Sequence, residues 1–433
     1  MKSQIKLNEK SFAIYGLGKT GVSVIDYLNK LSLKNYIIWD DNKNLKKKWK
    51  LNKKKEKNFF RLLNYVDFII ISPGINITKT KYKKILIKNK NKIITDLDLF
   101  YIQNPYLKSV MVTGSNGKST TCKILEYLLN KNKINAVLGG NIGKPVLSIN
   151  LKKKPLVIIE ASSFQLAYSK FIKPNYAILT NISKDHIDWH GSLSKYIKAK
   201  LKIFENQNSK DYAFINSKKI FKKYKEKNYS GKTIIVNIRN FEKIKKKLKN
   251  NFFNFYINKE NLSYIMALSK IFEIKEKKLI ESINSFKGLS HRHEIFLKKG
   301  NKTFINDSKA TSFSACELAL KNNENIYWIL GGMPKHGDKF NISKFKKKII
   351  KTYIIGNYMK TFKNYLQNKV KIQSSGTLKN AIISNLKDIQ NIKEKKITIL
   401  LSPASASYDQ FKNFEERGNE FKRLIKIYAR KIL

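Results

Sequence analysis

A glycine-rich segment in the second quarter of the chain has the residue types and spacing that bind nucleotide phosphates. It reads Gly114-Ser115-Asn116-Gly117-Lys118-Ser119-Thr120, after an apolar run at Ser109–Thr113 and before a stretch with helical spacing at 119–130. In such a loop, backbone N–H groups surround a phosphate, a lysine neutralises the β- and γ-phosphates, and a hydroxyl holds Mg²⁺. Val112 stands where a standard phosphate loop has glycine, so this loop is a variant. A plain strand–turn–helix corner is the alternative, and the segment favours a nucleotide site.

One carboxylate and one histidine follow the next strand-like runs and could take part in phosphate chemistry. Glu160 ends the apolar run 156–159, and His186 lies just beyond Tyr176–Leu179. Because neighbouring parallel strands end at one edge of a sheet, both side chains would lie near the loop. Glu160 could bind Mg²⁺ and His186 a second metal ion. A buried Glu–Lys pair or a satisfied histidine would explain either residue alone, but their shared position favours a metal site.

A second glycine-rich segment, near the N-terminus, could bind another nucleotide. It reads Gly16-Leu17-Gly18-Lys19-Thr20-Gly21 and follows the apolar run Ser11–Tyr15. The pattern G-x-G-x-x-G is typical of dinucleotide-binding turns. Asp40 and Asp41 come about 20 residues later, at the end of Tyr36–Trp39, where a ribose contact would lie. A packing turn is the alternative, and a nucleotide or nucleotide-sugar site is favoured.

Cations and hydroxyl groups follow the strand-like runs in the last third of the chain. These segments are His291-Arg292-His293-Glu294 and the stretches 306–311, 331–335 and 401–418. Carboxylates and phosphates are recognised by such groups. The segments therefore predict a site for an anionic small molecule.

Strands and helices alternate along the chain, which predicts an α/β fold with parallel sheets. Predicted helices lie at 22–31, 119–130, 262–272 and 276–286, whereas the Lys/Asn-rich stretch 218–259 has poor periodicity and could not be assigned. Strands at 303–306, 327–330, 353–355 and 398–401 indicate a further α/β unit. The 433 residues are divided into three predicted domains, at 1–96, 97–287 and 288–433.

The chain carries 88 Lys+Arg against 31 Asp+Glu, a formal net charge of +57. Such a charge would ordinarily suggest nucleic acid or an anionic membrane surface. Only six of these residues are arginine, and the lysines are spread over the whole length. Compositional drift on solvated faces explains that distribution, so we expect no specific nucleic-acid partner. No signal peptide and no apolar run of transmembrane length is evident, and two cysteines suit a reducing compartment.

The whole chain resembles the Mur ligase family, and most closely its D-glutamate-adding branch. The resemblance rests on Gly-Ser-Asn-Gly-Lys-Ser-Thr at 114–120, Ser-Ser-Phe-Gln-Leu at 162–166, Asn-Asp-Ser-Lys-Ala-Thr at 306–311 and Asp-Gln-Phe-Lys-Asn-Phe-Glu at 409–415. It implies three domains: a Rossmann-like N-terminal domain for a UDP-sugar, a central P-loop ATPase-type domain, and a Rossmann-like C-terminal domain for the amino acid.

The resemblance also implies an activity. The enzyme would add D-glutamate to UDP-N-acetylmuramoyl-L-alanine with cleavage of ATP, in peptidoglycan precursor synthesis. The alanine carboxylate would attack the γ-phosphate to form an acyl phosphate, and the amine of D-glutamate would displace phosphate. Two Mg²⁺ sites, a monomeric state and a cytoplasmic location would go with this activity.

Residue roles follow from the resemblance position by position. The catalytic set would be Lys118, Glu160, His186, Lys200 and Arg292. ATP would meet Gly114, Asn116, Gly117, Lys118, Ser119, Thr120, Asn261, Arg292 and Asp307. The UDP-sugar would meet Lys19, Thr20, Asp40, Ser72, Gly74 and Asn141, and D-glutamate would meet Lys309, Thr311, Lys335, Ser407 and Phe414. Metal ligands would be Ser119, Glu160, His186 and, once carbamylated by CO₂, Lys200.

The chain departs from the family pattern beside the expected adenine site. The family usually carries Gly-x-His-Asn with a second asparagine three residues later. Here the histidine position is Glu260 and the second asparagine position is Tyr264, while Asn261 is kept. Two other functions stay open: a basic nucleotide- or nucleic-acid-binding protein without ligase chemistry, and a folate polyglutamate-forming ligase. The Gly16–Gly21 loop and the segment 409–415 argue against the folate polyglutamate-forming ligase.

Overall fold

Three separate β-sheets organise the chain in a computed structural model, which describes residues 5–254, 256–334, 341–393 and 395–433. The residues group into two compact units, Met1–Phe286 and Lys287–Leu433. The first unit contains two of the sheets and the second unit contains one. The boundary predicted at 96/97 lies inside the first unit and stays a prediction.

The first sheet is fully parallel, with strand order β2-β1-β3-β4. Its strands are β1 (Phe12–Tyr15), β2 (Tyr36–Trp39), β3 (Phe68–Ile71) and β4 (Ile93–Ile94). The helices around it are α1 (Lys19–Lys30), α2 (Lys43–Lys48), α3 (Lys53–Leu62), α4 (Lys83–Lys88) and α5 (Asp96–Gln103). The chain changes direction across the sheet between β1 and β3, and a doubly wound sheet binds ligands at that point.

The second sheet is also parallel, with strand order β10-β9-β8-β5-β7-β6. Its strands are β5 (Ser109–Thr113), β6 (Ala136–Gly140), β7 (Leu156–Glu160), β8 (Tyr176–Leu179), β9 (Tyr212–Ile215) and β10 (Lys232–Ile235). Its helices are α6 (Lys118–Lys131), α7 (Ser163–Tyr168), α8 (Ile187–His190), α9 (Leu193–Leu201), α10 (Lys218–Glu226), α11 (Arg239–Lys245), α12 (Tyr256–Ile271) and α13 (Glu276–Ser285). The strand that leads into the phosphate loop, β5, thus lies between β7 and β8.

One hydrophobic cluster joins the first two sheets. Leu17, Val24 and Leu28 of the N-terminal part pack in the same buried cluster as Leu147 and Val157 of the next part. All five side chains are at most 8% exposed. This shared core explains why both sheets belong to one compact unit.

The third sheet has strand order β11-β12-β16-β13-β14-β15 and is parallel except for the β11–β12 pair. Its strands are β11 (Glu294–Lys299), β12 (Lys302–Asn306), β13 (Ile326–Gly331), β14 (Ile349–Ile355), β15 (Ile372–Gly376) and β16 (Ile397–Leu401). Its helices are α14 (Phe313–Lys321), α15 (Met359–Leu366), α16 (Leu378–Ile389) and α17 (Phe414–Ile432). Neighbouring residues alternate between two apolar clusters, as Tyr327 and Trp328 do, because strand side chains point to opposite faces.

The predicted α/β class with parallel sheets is confirmed. Tyr36–Trp39 and Tyr176–Leu179 are strands with the predicted bounds, and α6 extends the predicted helix by one residue at each end. The unassigned stretch 218–259 contains α10, β10, α11 and the start of α12. Among the helices that the structure describes, none is long and apolar enough to span a membrane.

Candidate active site

The phosphate loop adopts a conformation that requires glycine at two positions. Gly114 and Gly117 have φ angles of +151° and +84°. A Cβ atom added to Gly117 would overlap the amide oxygen of Asn261, and one added to Gly114 would overlap the Thr180 hydroxyl. Neighbouring elements therefore approach the loop so closely that only glycine fits at these positions.

Two lysines converge on the loop carbonyls. Lys118 Nζ donates to the carbonyl oxygens of Gly114 at 2.8 Å and Ser115 at 2.9 Å, and Lys200 Nζ donates to Gly114 at 2.7 Å. Lys200 is only 1% exposed although it belongs to a lysine-rich helix, α9. Desolvation, reinforced by the charge of Lys118, holds the pKa of Lys200 well below its usual range. An amine of this kind gives up its proton easily.

Glu160 lies at the end of β7, beside the strand that leads into the loop. It pairs in register with Val112 of β5 and is 2% exposed. Its Oε1 atom accepts a hydrogen bond from Asn141 Nδ2 at 2.7 Å, whereas Oε2 has no partner among the described residues. A buried carboxylate oxygen without a donor has the chemistry of a cation ligand.

His186 lies after β8 within an aromatic cluster. Its ring pairs with Asp185 at 3.2 Å and packs against Phe164, with ring centroids 4.7 Å apart. His190, four residues later, is buried and lies 3.0 Å from the Ser163 hydroxyl. Burial lowers the pKa of His190 to about 4, so it is neutral at pH 7. Sequence reasoning assigned no role to His190, and it noted Ser163 only as part of the motif at 162–166.

Side chains after β8 hold the loop backbone in place, and sequence reasoning missed them. Asn181 Oδ1 accepts a hydrogen bond from the backbone N–H of Asn116 at 2.9 Å, and the Thr180 hydroxyl donates to the carbonyl of Asn116 at 2.7 Å. Ser115 Oγ lies 2.8 Å from the Tyr196 hydroxyl. The position of Asn181 just past a strand that neighbours β5 was a usable signal, since such strand ends face one edge.

Among the described residues, no group of three or more His, Cys, Asp or Glu side chains is arranged to hold a metal ion. The predicted metal ligands nevertheless include two that lie close to the loop. Ser119 is in the first turn of α6, and Glu160 is at the adjacent strand end. Magnesium usually binds one or two protein ligands together with phosphate oxygens and water. Glu160 and Ser119 fit this ligand set.

Most of the residues predicted to bind the UDP-sugar lie around the glycine turn that follows β1 and beside the end of β3. Ser72 Oγ donates to the Gly16 carbonyl at 2.7 Å, and a Cβ atom on Gly16 would lie 2.6 Å from Ser72 Cβ. Lys19 and Thr20 form the first turn of α1, and Gly74 is exposed just after β3. The turn therefore brings Thr20, Ser72 and Gly74 to the point where the sheet changes direction. Asn141 lies elsewhere, beside Glu160.

Asp40 already has hydrogen-bond donors within the protein. Its carboxylate accepts hydrogen bonds from the backbone N–H groups of Leu17 at 2.6 Å and Asn42 at 2.7 Å. These contacts tie the first glycine turn to the end of β2. Each carboxylate oxygen keeps a second lone pair, so a ribose contact is still open to it.

In the second unit, Asp307 and Arg292 lie near the start of the third sheet. Asp307 accepts hydrogen bonds from the Ser402 hydroxyl at 2.8 Å and from the backbone N–H of His293 at 3.0 Å. Burial raises the pKa of Asp307 to about 7, although these two donors and the charge of Arg292 oppose the shift. Its charge therefore changes near neutral pH.

Two of the residues predicted to bind D-glutamate are in contact with each other. Lys309 Nζ lies 3.7 Å from the ring centroid of Phe414, which is a cation–π geometry. Thr311 follows on the same loop and is half-buried, and Ser407 is buried in the loop after β16. Lys335 lies outside the described residues.

A buried arginine holds this group of loops together, and sequence reasoning did not assign it a role. Arg417, 1% exposed, donates to the carbonyl oxygens of Ser308 at 3.0 Å and Ser405 at 2.9 Å and to the Ser308 hydroxyl at 3.1 Å. Gly331 also lies within 3.4 Å of its guanidinium group. The planar fork of an arginine thereby joins loops that follow β12, β13 and β16.

The glycine loop between β5 and α6, with a carboxylate at the adjacent strand end, defines a phosphate-loop nucleotide-binding enzyme of the α/β class. A family model of the Mur ligase MurD-like N-terminal domain matches residues 10–94, and one of the Mur ligase middle domain matches residues 112–284. A UDP-N-acetylmuramoylalanine–D-glutamate ligase of Rickettsia bellii is 36% identical and covers 96% of this chain and 97% of its own length. The chain belongs to the Mur ligase family.

Other similar proteins agree with this membership. A UDP-N-acetylmuramoylalanine–D-glutamate ligase of Wolbachia pipientis is 32% identical over 97% of both chains. Among solved structures, a MurF ligase of Thermotoga maritima in complex with ADP aligns with a TM-score of 0.56 at 15% identity, over 99% of this chain and 100% of its own. The UDP-N-acetylmuramate-alanine ligase MurC of the same organism gives 0.55 at 16% identity, over 98% and 100%. At identities this low the similarity bears on the fold alone, and it confirms the predicted α/β class.

Proposed function

We propose that this enzyme joins D-glutamate to UDP-N-acetylmuramoyl-L-alanine by forming an amide bond with cleavage of ATP to ADP and phosphate. The observation that carries the proposal is the similarity to D-glutamate ligases over nearly the full length of both chains. The predicted division into domains at 1–96, 97–287 and 288–433 goes with it, each domain taking one substrate.

The chemistry brings several negative charges together. The alanine carboxylate attacks the γ-phosphate, the acyl phosphate forms as ADP leaves, and the D-glutamate amine then displaces phosphate. Positioning and electrostatic stabilisation must supply most of the rate enhancement. The lysine at the start of α6 supports this role, because Lys118 Nζ lies at the loop carbonyls of Gly114 and Ser115, where its charge would stabilise a bound phosphate.

Magnesium fits the residues beside the loop. The Oε2 atom of Glu160 is buried and has no partner among the described residues, so a cation would satisfy it. Ser119 supplies the hydroxyl at the head of α6. Bound Mg²⁺ would neutralise phosphate charge, while Asn141 holds the carboxylate through its other oxygen at 2.7 Å.

Lys200 is proposed to react with CO₂ and become a carbamate. Only a neutral amine attacks CO₂, and burial lowers the pKa of Lys200 well below its usual range. The product carries a negative charge where the lysine carried a positive one. It would suit a second metal ion together with His186.

An assay of phosphate release from ATP with the purified enzyme tests the proposal. Release should require both UDP-N-acetylmuramoyl-L-alanine and D-glutamate, and a panel with L-lysine, meso-diaminopimelate and L-glutamate should give none. Release with another amino acid instead of D-glutamate would overturn the substrate assignment. Oligonucleotide binding at physiological salt without ligase turnover would favour the basic binding protein instead.

A further inference from the structure

Glu260 of α12 lies between two asparagine side chains that follow adjacent strands. Asn216, just after β9, donates its Nδ2 to Glu260 Oε1, and Asn181, after β8, places its Nδ2 3.4 Å from Oε2. The carboxyl group is partly buried, and burial raises its pKa. Glu260 therefore links the carboxyl ends of β8 and β9.

The second of these amides also holds the phosphate loop. Asn181 accepts the backbone N–H of Asn116 on Oδ1 at 2.9 Å and donates Nδ2 to the carbonyl oxygen of Asn116 at 3.2 Å. Asn116 lies between the two glycines of the loop that have positive φ angles. Asn181 thus contacts both backbone polar groups of this loop residue, and the Thr180 hydroxyl shares the carbonyl with it.

The orientation of the Asn181 amide depends on what it faces. A carboxylate can only accept hydrogen bonds, so Glu260 reinforces the orientation that Asn116 also requires, with Nδ2 toward the carboxylate and Oδ1 toward the Asn116 N–H. The flipped amide would bring two donors together at Asn116 and two acceptors together at Glu260. A glutamine at 260 could pair with either orientation, so it would no longer add to the preference set by Asn116.

The same helix is fixed at the strand end by a second residue that departs from the family pattern. The Tyr264 hydroxyl, one helical turn after Glu260, donates to the carbonyl oxygens of Leu179 at 2.9 Å and Thr180 at 2.8 Å. Tyr264 is fully buried. This contact holds α12 where Glu260 can reach Asn181.

We propose that Glu260 is a positioning residue for nucleotide binding, which orients the Asn181 amide and thereby holds Asn116 and the phosphate loop in the conformation that receives phosphate. Glu260 acts through Asn181 and does not itself need to touch the nucleotide. The inference rests on the proposed function only in taking ATP as the ligand of the loop.

Direct titration of the full-length enzyme with Mg·ADP tests this role. Glu260→Gln should raise the Kd of ADP about 5- to 10-fold, as expected for one hydrogen-bonded contact. It should raise the KM of ATP similarly and leave kcat at saturating ATP within about twofold. Glu281→Gln removes an exposed carboxylate from α13 and should change none of these values.

A double-mutant cycle separates positioning from a general loss of structure. Asn181→Ala should weaken ADP binding by itself, and Glu260→Gln should add no further loss in that background. Independent, additive losses would overturn the inference, as would wild-type affinity in Glu260→Gln. If the wild-type enzyme bound ADP but failed to ligate D-glutamate, the proposed function would fail while the result for Glu260 still stood.

Discussion

The side-chain nitrogen of Lys200 lies 2.7 Å from the carbonyl oxygen of Gly114, the first residue of the phosphate loop. The same carbonyl accepts from Lys118 at 2.8 Å. Two lysines thus share one acceptor, and Lys200 is only 1% exposed there. Burial, reinforced by the charge of Lys118, destabilises the charged form of Lys200 and makes its amine chemically distinct from the solvated lysines of the chain.

Replacement of Lys200 by alanine tests its proposed chemistry. We expect Lys200→Ala to lower kcat by roughly 100-fold or more, as loss of an electrostatic group in an active site does. Added acetate should restore part of the activity, because a small carboxylate can occupy the place of a carbamate. Ligase assays with and without acetate measure both effects.

Lys198 provides the control on the same helix. It is exposed, so Lys198→Ala should retain near wild-type activity and show no response to acetate. Full activity of Lys200→Ala would rule out the carbamate.

Replacement of Gly117 tests the close approach of α12 to the loop. Gly117→Ala forces an alanine into φ +84° and places its methyl group against Asn261. The backbone conformation alone costs roughly 1–2 kcal/mol, and the loop must also move. We expect a lower melting temperature and loss of measurable ADP binding by calorimetry.

A matched glycine makes this result specific. A Cβ atom on Gly18 would meet no heavy atom within 4 Å, and its φ is −69°. Gly18→Ala should therefore leave the melting temperature and ADP affinity unchanged. Equal effects of the two substitutions would contradict the assigned contact.

The strand ends were predictable from sequence because parallel strands leave short apolar runs followed by glycine or polar residues. Glu160 and the loop 114–120 were found in this way. Asn181 and Tyr196 were missed, because their contacts with Asn116 and Ser115 depend on how β8 and α9 pack against the loop. The position of Asn181 after β8 indicates that it lies near the loop, but sequence spacing does not reveal the contacts themselves.

Helix α10 shows why the stretch 218–259 could not be assigned. It buries only Ile220 and Tyr224, one turn apart, among lysines that face solvent. Two apolar positions are too few for a clear helical period. The burial of Lys200 could not be predicted from sequence for a different reason. Lys198, two residues earlier, is exposed, and only the packing of α9 buries Lys200.

Asp307 predicts a pH dependence of stability in the second unit. Its pKa is about 7 in the folded protein against 3.8 for the free group, so the folded state keeps a proton that the unfolded chain has released. Stability due to Asp307 should therefore be present below about pH 4 and decline as pH rises to 7, by at most roughly 4 kcal/mol. Asp307→Asn should remove this decline.

Urea unfolding of wild type and variant between pH 4 and 8 measures the difference. Glu317→Gln, which removes an exposed carboxylate from α14, should keep the wild-type pH profile. An identical profile in Asp307→Asn would show that Asp307 is ionised throughout this range and would refute the prediction.

The contact between Lys309 and Phe414 predicts a selective effect on the amino-acid substrate. The ammonium group lies 3.7 Å from the ring centroid, so Phe414→Leu removes an attraction of about 0.5–2 kcal/mol that positions the lysine. We expect the KM of D-glutamate to rise about 10-fold, corresponding to the middle of that range, with unchanged KM values for ATP and the UDP-sugar. Lys412→Met, at an exposed lysine in the same segment, should leave all three values unchanged. A parallel rise in all three KM values after Phe414→Leu would mean that the ring supports the fold of the second unit rather than the D-glutamate site.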